Sequence, residues 1–543
     1  MLKQRIVGII KQRKWWKSVI PYLVLILLMV FLFLHKANYH IDELLSYQLA
    51  NRASDISSED GVIYIPPQSP WLTYLTVQGG EIDFEHVWKN QASDVHPPFY
   101  YLILYLICFL FPGKFSIWFA ASINIVFALL TLFVVKKLVY ELTDSRNMVS
   151  VISLFFVLSG GILSSLLFLR MYVMTMFLVS LVTWLFLYTT RFPKLPRRFY
   201  VTLILVSYIG ALTHYYFIVY LFFLCVVFGI WLLFCKRFLE TVMFVFSMGL
   251  CGCMAVITFP NMVGHMFSGY RGVESIENLK GSASDYVTRL RSFYQFTNER
   301  LLGGVLTYVV LAGIFLWIFS KWTVWENTPK ISNGNTIIND GEHHNKKMIK
   351  WLLVVIPSIC YFLLVSKMAV YIDFRYLSPL HAVFIAWIMS GIFVIGKRIL
   401  EKRYWIPAAG LLLSIVVVHS WQTCGVGVQD ANTEKIRSHA ETYASCNCIY
   451  IYNERWRFLS SFMEASHYKS VTLYHVNNME FMADMQCLSD KEMVVCITND
   501  CDSQVILKNI MEVCPSLNAY QEIPSFGYTV NYYLFEDVAS DIE

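Results

Sequence analysis

Long apolar runs separated by short polar segments dominate the first 420 residues. Runs long enough to cross a bilayer recur from Val19 to His419, and most charged residues lie between them. Because a transmembrane helix needs about 20 mostly apolar residues, this pattern predicts many membrane helices. After Trp421 the composition changes to that of a soluble domain. We therefore expect a membrane domain, residues 1–420, and a tail domain, residues 421–543.

Basic clusters beside the apolar runs predict how the chain crosses the membrane, because short loops rich in Lys and Arg stay in the cytoplasm. The N-terminal cluster from Lys3 to Lys17 precedes the first run, and no small-residue cleavage site follows it, so we expect an uncleaved first helix with a cytoplasmic N-terminus. About eleven spans satisfy the rule at every turn: 19–35, 115–135, 147–168, 171–190, 200–213, 216–235, 241–260, 302–320, 351–366, 377–396 and 404–420. This order places the tail outside the cell.

The apolar segment from Pro97 to Phe111 is predicted to be an interfacial helix. It is short and begins with two prolines, which fits a helix lying on the membrane better than one crossing it. Counting it as a span would also reverse every later basic cluster. Residues 36–114 and 261–301 then form outer loops, and 321–350 forms a polar cytoplasmic loop.

The tail alternates strand-like and helix-like segments. We predict strands at Cys448–Tyr452, Val471–His475, Met493–Thr498 and Tyr528–Phe535, with helices at Arg455–Ala465 and Ser503–Val513. The predicted fold class is therefore mainly α: a polytopic helical bundle of the plasma membrane, with interfacial helices in the first outer loop and a small extracytoplasmic α/β domain.

Composition supports this picture and narrows the partners. Hydrophobic residues make up 57% of the chain and charged residues only 15%, against about 25% charged in soluble domains. The net charge of +5 is spread over short clusters, so no nucleic-acid partner is indicated. Some tail cysteines can pair as disulfides outside the cell, with the connectivity left open. Cys446 and Cys448 are too close together for a zinc-binding Cys-x-x-Cys pair.

The ionisable residues of the membrane domain collect on its predicted outer side. These residues are Asp42 and Glu43 after the first span, Asp94 and His96 before a proline pair, and Arg170, His214 and Arg375 where two spans meet. An Arg at mid-membrane costs about 2.5–3.5 kcal/mol, and less near the interface, so such charges call for partners. Carboxylates beside arginines and a histidine can hold a phosphate and take a proton.

Each of these residues also has a simpler interpretation. Asp42 and Glu43 can mark the solvated end of the first span, and Asp94 with the two prolines can be a turn. Arg170 and Arg375 can extend to the interface without a function. His214, Tyr215 and Tyr216 fit an aromatic belt. Their occurrence together on one side favours a site.

Five motifs in this order resemble the C-type (GT-C) membrane glycosyltransferases, in particular the family of protein O-mannosyltransferases and lipid A aminoarabinose transferases. The motifs are Ile41-Asp42-Glu43, the run from Asp94 to Tyr101, Arg170-Met171-Tyr172, Thr213-His214-Tyr215-Tyr216 and Arg375-Tyr376-Leu377-Ser378-Pro379. The resemblance covers residues 15–400. The acidic pair and the Asp-x-His-Pro-Pro element are its most specific parts.

The resemblance implies an inverting transfer of a sugar from a polyprenyl-phosphate donor to an acceptor hydroxyl on the outer face. The catalytic base corresponds to Asp42, with Glu43 as the weaker candidate and Asp94 as a second acidic position. His96 replaces the lysine of the aminoarabinose transferases, which argues against lipid A as acceptor. The tail does not resemble the sugar-binding repeat domain of mannosyltransferases, which argues against a protein acceptor. A glycan, lipid or protein acceptor stays open.

The donor site needs positively charged and hydrogen-bonding groups, because negative charge develops on the phosphate as it leaves. The candidates for binding the donor phosphate are His96, Arg170, Tyr172, His214, Tyr215, Arg375 and Tyr376. The outer loop 261–301 adds Arg271, Lys280, Arg289, Arg291 and Arg300, which fits either a mobile lid or a solvated loop.

No cofactor is required by the pattern. A divalent metal on Asp42, Asp94 and His96 stays open, because oxygen and nitrogen ligands suit such ions. The alternative functions are a transporter or lipid flippase, which is expected to show repeats and mid-membrane charges, and a non-catalytic receptor or assembly factor.

Overall fold

Apolar helices form most of the described chain. The computed structural model describes residues 2–36, 39–51, 60–65, 74–77, 79–308, 311, 337–399, 402–424, 438–439, 441–454, 456–457, 459, 467–478, 492–514, 517, 519–523 and 530–536. The helices are α1 (Leu2–Leu34), α2 (Ile41–Asn51), α3 (Phe84–Ser93), α4 (Phe99–Phe109), α5 (Ile117–Thr143), α6 (Arg146–Leu158), α7 (Gly160–Leu167), α8 (Tyr172–Thr189), α9 (Arg197–Ala211), α10 (Tyr215–Phe234), α11 (Phe238–Thr258), α12 (Asn261–Phe267), α13 (Tyr270–Lys280), α14 (Ala283–Gln295), α15 (Ile337–Met368), α16 (Ser378–Ile399), α17 (Lys402–Cys424) and α18 (Ser503–Val513). A π-helical turn covers Phe296–Leu301, and a 3-10 turn covers Phe374–Leu377.

The chain has the helices of a multi-pass membrane protein, but the count of about eleven spans is not confirmed. In the described part, six helices are long and apolar enough to cross a membrane, or seven if the bent pair α6–α7 counts as one span. Nine of the predicted spans each coincide with one helix, the span 147–168 coincides with the bent pair α6–α7, and the run 302–320 lies largely outside the described residues. Within the described residues, three of the predicted spans fall on apolar helical stretches with fewer than 18 residues: Ser18–Leu34 in α1, Gly410–Thr423 in α17, and α9 with 15 residues.

The helix pair α6–α7 bends by 57° at Ser159. Two glycines follow the bend because other backbone segments approach there closely. A Cβ on Gly160 would lie 2.6 Å from the Ser420 carbonyl oxygen, and one on Gly161 would lie 2.5 Å from the Arg300 carbonyl oxygen. The bend therefore packs against α17 and the π-helical turn, and it directs residues 168–171 away from the axis of α6.

The segment 261–301, predicted as an outer loop, is helical over most of its length. Helices α12, α13 and α14 and the π-helical turn occupy it. Polar side chains bind it to the end of α15: Asn278 Nδ2 donates to the Ala369 carbonyl (3.0 Å), and Arg289 Nε donates to the Ser366 carbonyl (3.1 Å). These bonds satisfy carbonyls that a helix end leaves without intrahelical partners. Helix α15 itself begins at Ile337, inside the segment predicted as a cytoplasmic loop.

The contacts divide the chain into two compact units. The first contains Met1–Leu34, Gln91–Tyr100 and Ala120–Gly427, and the second contains His35–Asn90, Tyr101–Phe119 and Val428–Glu543. Helix α4 is divided between them after Tyr100. The domain boundary after residue 420 stays a prediction.

The second unit contains a six-stranded mixed sheet with strand order β1-β3-β2-β4-β6-β5. The strands are β1 (Ile63–Tyr64), β2 (Asn447–Tyr452), β3 (Ser470–His475), β4 (Glu492–Thr498), β5 (Ala519–Ile523) and β6 (Val530–Glu536). Strands β3, β2 and β4 are parallel, and the other pairs are antiparallel. Helix α18 covers one sheet face through Ile506, Leu507 and Ile510. The predicted helix Arg455–Ala465 lies mostly outside the described residues.

Strand β1 comes from residues 36–114, the segment that the sequence predicts as the first outer loop. Ile63 pairs with Thr472 and Tyr64 with Val471. Asp60, just before β1, accepts hydrogen bonds from the Tyr452 hydroxyl (2.6 Å) and the His475 backbone N–H (3.1 Å). Residues of the first outer loop therefore complete an edge of the tail sheet, which the sequence patterns did not predict.

Candidate active site

Asp94 and His96 face each other across a short turn between α3 and α4. His96 Nδ1 lies 2.8 Å from Asp94 Oδ2, and each side chain is about one-fifth exposed (19% and 20%). Two prolines follow His96, and because a proline disfavours helical backbone in the residue before it, α4 begins only after them, at Phe99. The Phe99 N–H donates to the Leu212 carbonyl (3.0 Å). This bond brings the turn next to the corner that carries His214.

The Asp94 carboxyl is ionised at neutral pH. Burial acts to raise its pKa, but the hydrogen bond from His96 and the charges of His96 and Arg170 outweigh burial, so the pKa of Asp94 lies below its usual value. Arg170 is buried between α7 and α8. Its positive charge is one of the causes that lower the pKa of Asp94.

His214 lies at the centre of an aromatic cluster. Its ring centroid is 5.2 Å from that of Tyr172, 5.1 Å from Tyr216 and 6.1 Å from His96. Its Nδ1 accepts the Tyr216 backbone N–H (3.0 Å) and caps α10. Burial, together with the positive charges of His96 and Arg170, lowers the pKa of His214 well below that of an ordinary histidine. The ring is therefore neutral, with its proton on Nε2.

Arg375 joins this cluster from the 3-10 turn before α16. Its guanidinium lies over the rings of Tyr376 (5.6 Å) and Phe168 (5.9 Å). The Tyr376 ring is in turn 5.6 Å from that of Tyr216. Asp373 caps the turn by accepting the Arg375 N–H (2.9 Å), and its other carboxylate oxygen lies 3.5 Å from Arg375 Nε. The carboxylate therefore orients the guanidinium.

The helical segment 261–301 supplies residues to the same cluster. Tyr215 Oη lies 2.8 Å from Nδ1 of His265 in α12. Arg271 in α13 lies over the rings of Tyr270 (4.9 Å) and Tyr371 (5.0 Å) and binds Glu274 (2.8 Å). Tyr270 and Tyr215 are both within electrostatic reach of Asp94. Arg271 had a sequence signal, the excess of bases in this segment, whereas an isolated His265 had none.

The structure thus brings together eight of the predicted site residues: Asp94, His96, Arg170, Tyr172, His214, Tyr215, Arg375 and Tyr376. Their cluster, which we call the Asp94 cluster, lies within the first unit and contains one ionised carboxylate, arginines and hydroxyl groups. Such a set can bind an anionic group and orient a hydroxyl. The functional roles of these residues remain predictions.

Asp42 and Glu43 belong to the second unit and differ in their surroundings. Glu43 is fully buried, where its Oε1 lies 3.0 Å from Lys36 Nζ and its Oε2 accepts the His40 backbone N–H (2.9 Å). The second bond is one half of a capping box at the start of α2. Asp42 is one-fifth exposed, and its carboxylate lies 3.7 Å from the His40 ring. Glu43 therefore stabilises the helix start, and Asp42 is the accessible acid.

Within the described residues, no three His, Cys, Asp or Glu side chains are grouped so that they can hold a metal ion. Asp94 and His96 lie 2.8 Å apart, and a divalent metal on Asp42, Asp94 and His96 stays an open alternative.

No protein-family model and no curated protein matches the sequence. Among solved structures, the chain is similar to ArnT from Cupriavidus metallidurans in the apo state (12% identity, TM-score 0.40, 82% of this chain and 88% of that chain). It is also similar to the Archaeoglobus fulgidus oligosaccharyltransferase in the apo form (10%, 0.44, 95% and 74%). A third is the archaeal oligosaccharyltransferase AglB from the same organism, in complex with an inhibitory peptide and a dolichol-phosphate (12%, 0.41, 97% and 75%). Likenesses this weak assign neither a fold nor an activity to this chain.

Proposed function

We propose that this protein is an inverting glycosyltransferase that moves a sugar, such as a hexose, from a polyprenyl-phosphate donor to an acceptor hydroxyl on the extracytoplasmic face of the plasma membrane. The observation that carries the proposal is the Asp94 cluster. An ionised carboxylate, a neutral histidine and arginines held over aromatic rings lie together beside helices of a membrane domain. Arginines bind phosphates tightly because their N–H groups match the phosphate oxygens in charge and geometry.

The proposed reaction is a single displacement. The acceptor oxygen attacks the anomeric carbon, the bond between that carbon and the phosphate oxygen breaks, and the electron pair leaves with the phosphate. A carboxylate takes the proton of the attacking hydroxyl. The sequence resemblance assigns this role to Asp42, and the exposure of its side chain supports that choice over Glu43. Attack from the face opposite the phosphate inverts the anomeric configuration.

The arginines stabilise the charge that develops on the leaving phosphate. Arg375 is pre-oriented by Asp373, and Arg170 is buried within the cluster. The structure adds Arg271 as a third candidate. His96 orients Asp94, and His214 can donate through Nε2 to a phosphate or sugar oxygen. The hydroxyls of Tyr172, Tyr215 and Tyr376 complete the proposed donor site.

Transport of a lipid-linked substrate is the second candidate function, because it needs the same phosphate-binding groups. A transporter is expected to carry ionisable groups near mid-membrane and to open to both sides. The clustering of the site residues at helix ends favours the enzyme. A receptor or assembly factor needs no ionised carboxylate beside arginines.

The decisive test is transfer by the purified full chain in liposomes. A panel of undecaprenyl-phosphate sugars is offered with glycan, lipid and peptide acceptors, and released undecaprenyl phosphate is measured. We expect one donor to be consumed by the wild-type chain, and turnover to fall at least about a thousandfold in Asp42→Asn while donor binding is kept. Movement of intact donor across the bilayer without release of undecaprenyl phosphate would establish transport instead.

A further inference from the structure

His265 connects two parts of the Asp94 cluster. Its Nδ1 lies 2.8 Å from the hydroxyl oxygen of Tyr215, and its Nε2 lies 3.1 Å from the backbone carbonyl oxygen of Ala92. Ala92 precedes Asp94 by two residues, and Tyr215 is the first residue of α10. One imidazole ring therefore ties the chain entering the Asp94 turn to the helix that follows His214.

These two contacts determine which ring nitrogen carries the proton. A carbonyl oxygen can only accept a hydrogen bond, so Nε2 must be protonated to bond Ala92. In the neutral ring Nδ1 then has a lone pair and no hydrogen, so Tyr215 must donate its hydroxyl proton to Nδ1. In the neutral ring, the Tyr215–His265 bond therefore runs from Tyr215 to His265.

The direction of this bond matters because a tyrosine hydroxyl has a single proton. With that proton given to His265, the Tyr215 oxygen offers only lone pairs to its other neighbours. Tyr215 is within electrostatic reach of the ionised Asp94. Without His265, the hydroxyl proton has no fixed direction, and the oxygen loses its fixed role as an acceptor.

We propose that His265 is a positioning residue that makes the Tyr215 oxygen a hydrogen-bond acceptor for a hydroxyl of the substrate. The inference rests on the proposed glycosyltransferase function and deepens it by specifying that one subsite, at Tyr215, binds a hydrogen-bond donor. The group bound at Tyr215 must be a donor, such as a sugar hydroxyl, and a phosphate oxygen does not satisfy it. Tyr215 is then assigned to the sugar or acceptor rather than to the phosphate.

The experiment compares substitutions that keep one contact of His265 at a time. The Oδ1 of His265→Asn matches the accepting Nδ1, whereas the Nε2 of His265→Gln matches the donating Nε2 and leaves Tyr215 without its acceptor. We expect kcat to fall about ten- to hundredfold in His265→Ala and His265→Gln, and less than about threefold in His265→Asn, with the donor KM changed by less than about threefold in each. Assays use the full chain in liposomes and the undecaprenyl-phosphate sugar that the wild-type chain consumes.

A double-mutant cycle and a matched control complete the design. Tyr215→Phe alone is expected to lower kcat as much as His265→Ala does, and the two together no further, since both remove the same bond. His439 in the second unit makes a similar bond, with its Nε2 3.0 Å from the Tyr468 hydroxyl. His439→Ala is expected to leave kcat within about twofold of the wild type.

Each outcome has a definite meaning. Equal kcat losses in His265→Asn and His265→Gln, or additive losses in the double variant, overturn the positioning role while the glycosyltransferase function stands. No release of undecaprenyl phosphate by the wild-type chain overturns the proposed function and this inference together. If thermal unfolding shows that His265→Ala does not fold, the comparison of the Asn and Gln variants decides.

Discussion

Lys36 Nζ and Glu43 Oε1 lie 3.0 Å apart, and both side chains are almost completely buried. An ion pair in such a place is costly to break on one side, because the remaining charge stays buried without compensation. We therefore expect the neighbouring acids Asp42 and Glu43 to have different roles. Glu43 contributes to the stability of α2, and Asp42 remains the candidate base.

Substituting these two acids is expected to give opposite results. Glu43→Gln should lower the free energy of unfolding by about 3–5 kcal/mol, because Lys36 loses its counter-charge. Asp42→Asn should change stability little and remove turnover. Thermal unfolding of the purified chain, measured beside release of undecaprenyl phosphate, checks both. Normal stability in Glu43→Gln would contradict the assignment of Glu43 to folding.

His96 is expected to control the acid limb of the pH profile. The pKa of the Asp94 carboxyl is lower in the folded chain than in the unfolded chain. Ionised Asp94 therefore stabilises the folded chain at pH values above its unfolded-state pKa, and this stabilisation is lost as the pH falls through its folded-state pKa. His96→Ala removes the hydrogen bond that lowers this pKa, so the acid limb of kcat/KM should move to higher pH. His86, which lies 3.4 Å from Asp83, provides a control whose substitution should leave that limb in place.

Arg375 is expected to act on the donor rather than on folding. Arg375→Ala should lower kcat/KM for the donor by about ten- to hundredfold, through a higher KM, a lower kcat or both. This is the loss typical of one charge-assisted hydrogen bond. Arg457 is a suitable control because it pairs with Asp500 (3.1 Å) in the tail sheet unit. Equal effects of Arg375→Ala and Arg457→Ala on kcat/KM would remove Arg375 from the site.

Gly161 is expected to tolerate no side chain. Gly161→Ala places a Cβ 2.5 Å from the Arg300 carbonyl oxygen, and the backbone must shift, at a cost of about 1–3 kcal/mol. Gly252 is also in a membrane helix, and a Cβ there meets no atom within 4 Å. Thermal unfolding should therefore show a loss for Gly161→Ala and none for Gly252→Ala. A similar melting temperature for the two variants would show that the bend adapts.

Asp60 is expected to hold the first outer loop to the tail sheet. Asp60→Ala removes the acceptor of two hydrogen bonds, so the loop should become more sensitive to proteolysis at residues near β1. Glu85 is the control, because its pair with Lys89 is exposed. Limited proteolysis followed by mass spectrometry identifies the cleavage sites. Protection unchanged in Asp60→Ala would mean that the β1–β3 ladder alone holds the loop.

Local patterns predicted the membrane helices and much of the sheet. Hydropathy acts on consecutive residues, so α8 and α10 lie within one residue of their predicted bounds, whereas α5 continues to Thr143, beyond the predicted end at residue 135. In the tail, β2, β3 and β4 begin one residue before the predicted strands, and helix α18 has its predicted bounds. The Asp94 cluster was also predictable in its membership, because ionisable residues at helix ends are unusual in a membrane protein.

Long-range contacts were not predictable from one sequence. Strand β1 has only two residues, and its partner lies about 400 positions later. His265 is a single histidine in a short helix, and only the folded chain shows that it contacts Tyr215. The burial of Glu43 against Lys36 was also visible only in the folded chain. Such facts depend on packing rather than on spacing.

The pairing of β1 with β3 has a consequence for biosynthesis. At about 5–20 residues per second, translation from Tyr64 to Val471 takes roughly 20–80 s. During that time the later membrane helices must be inserted while the outer loop waits with an unpaired strand. A premature stop codon before Thr472 would therefore leave β1 without its partner strand, although β1 itself was synthesised much earlier. The unpaired early segment would then be accessible to quality-control proteases in the truncated product.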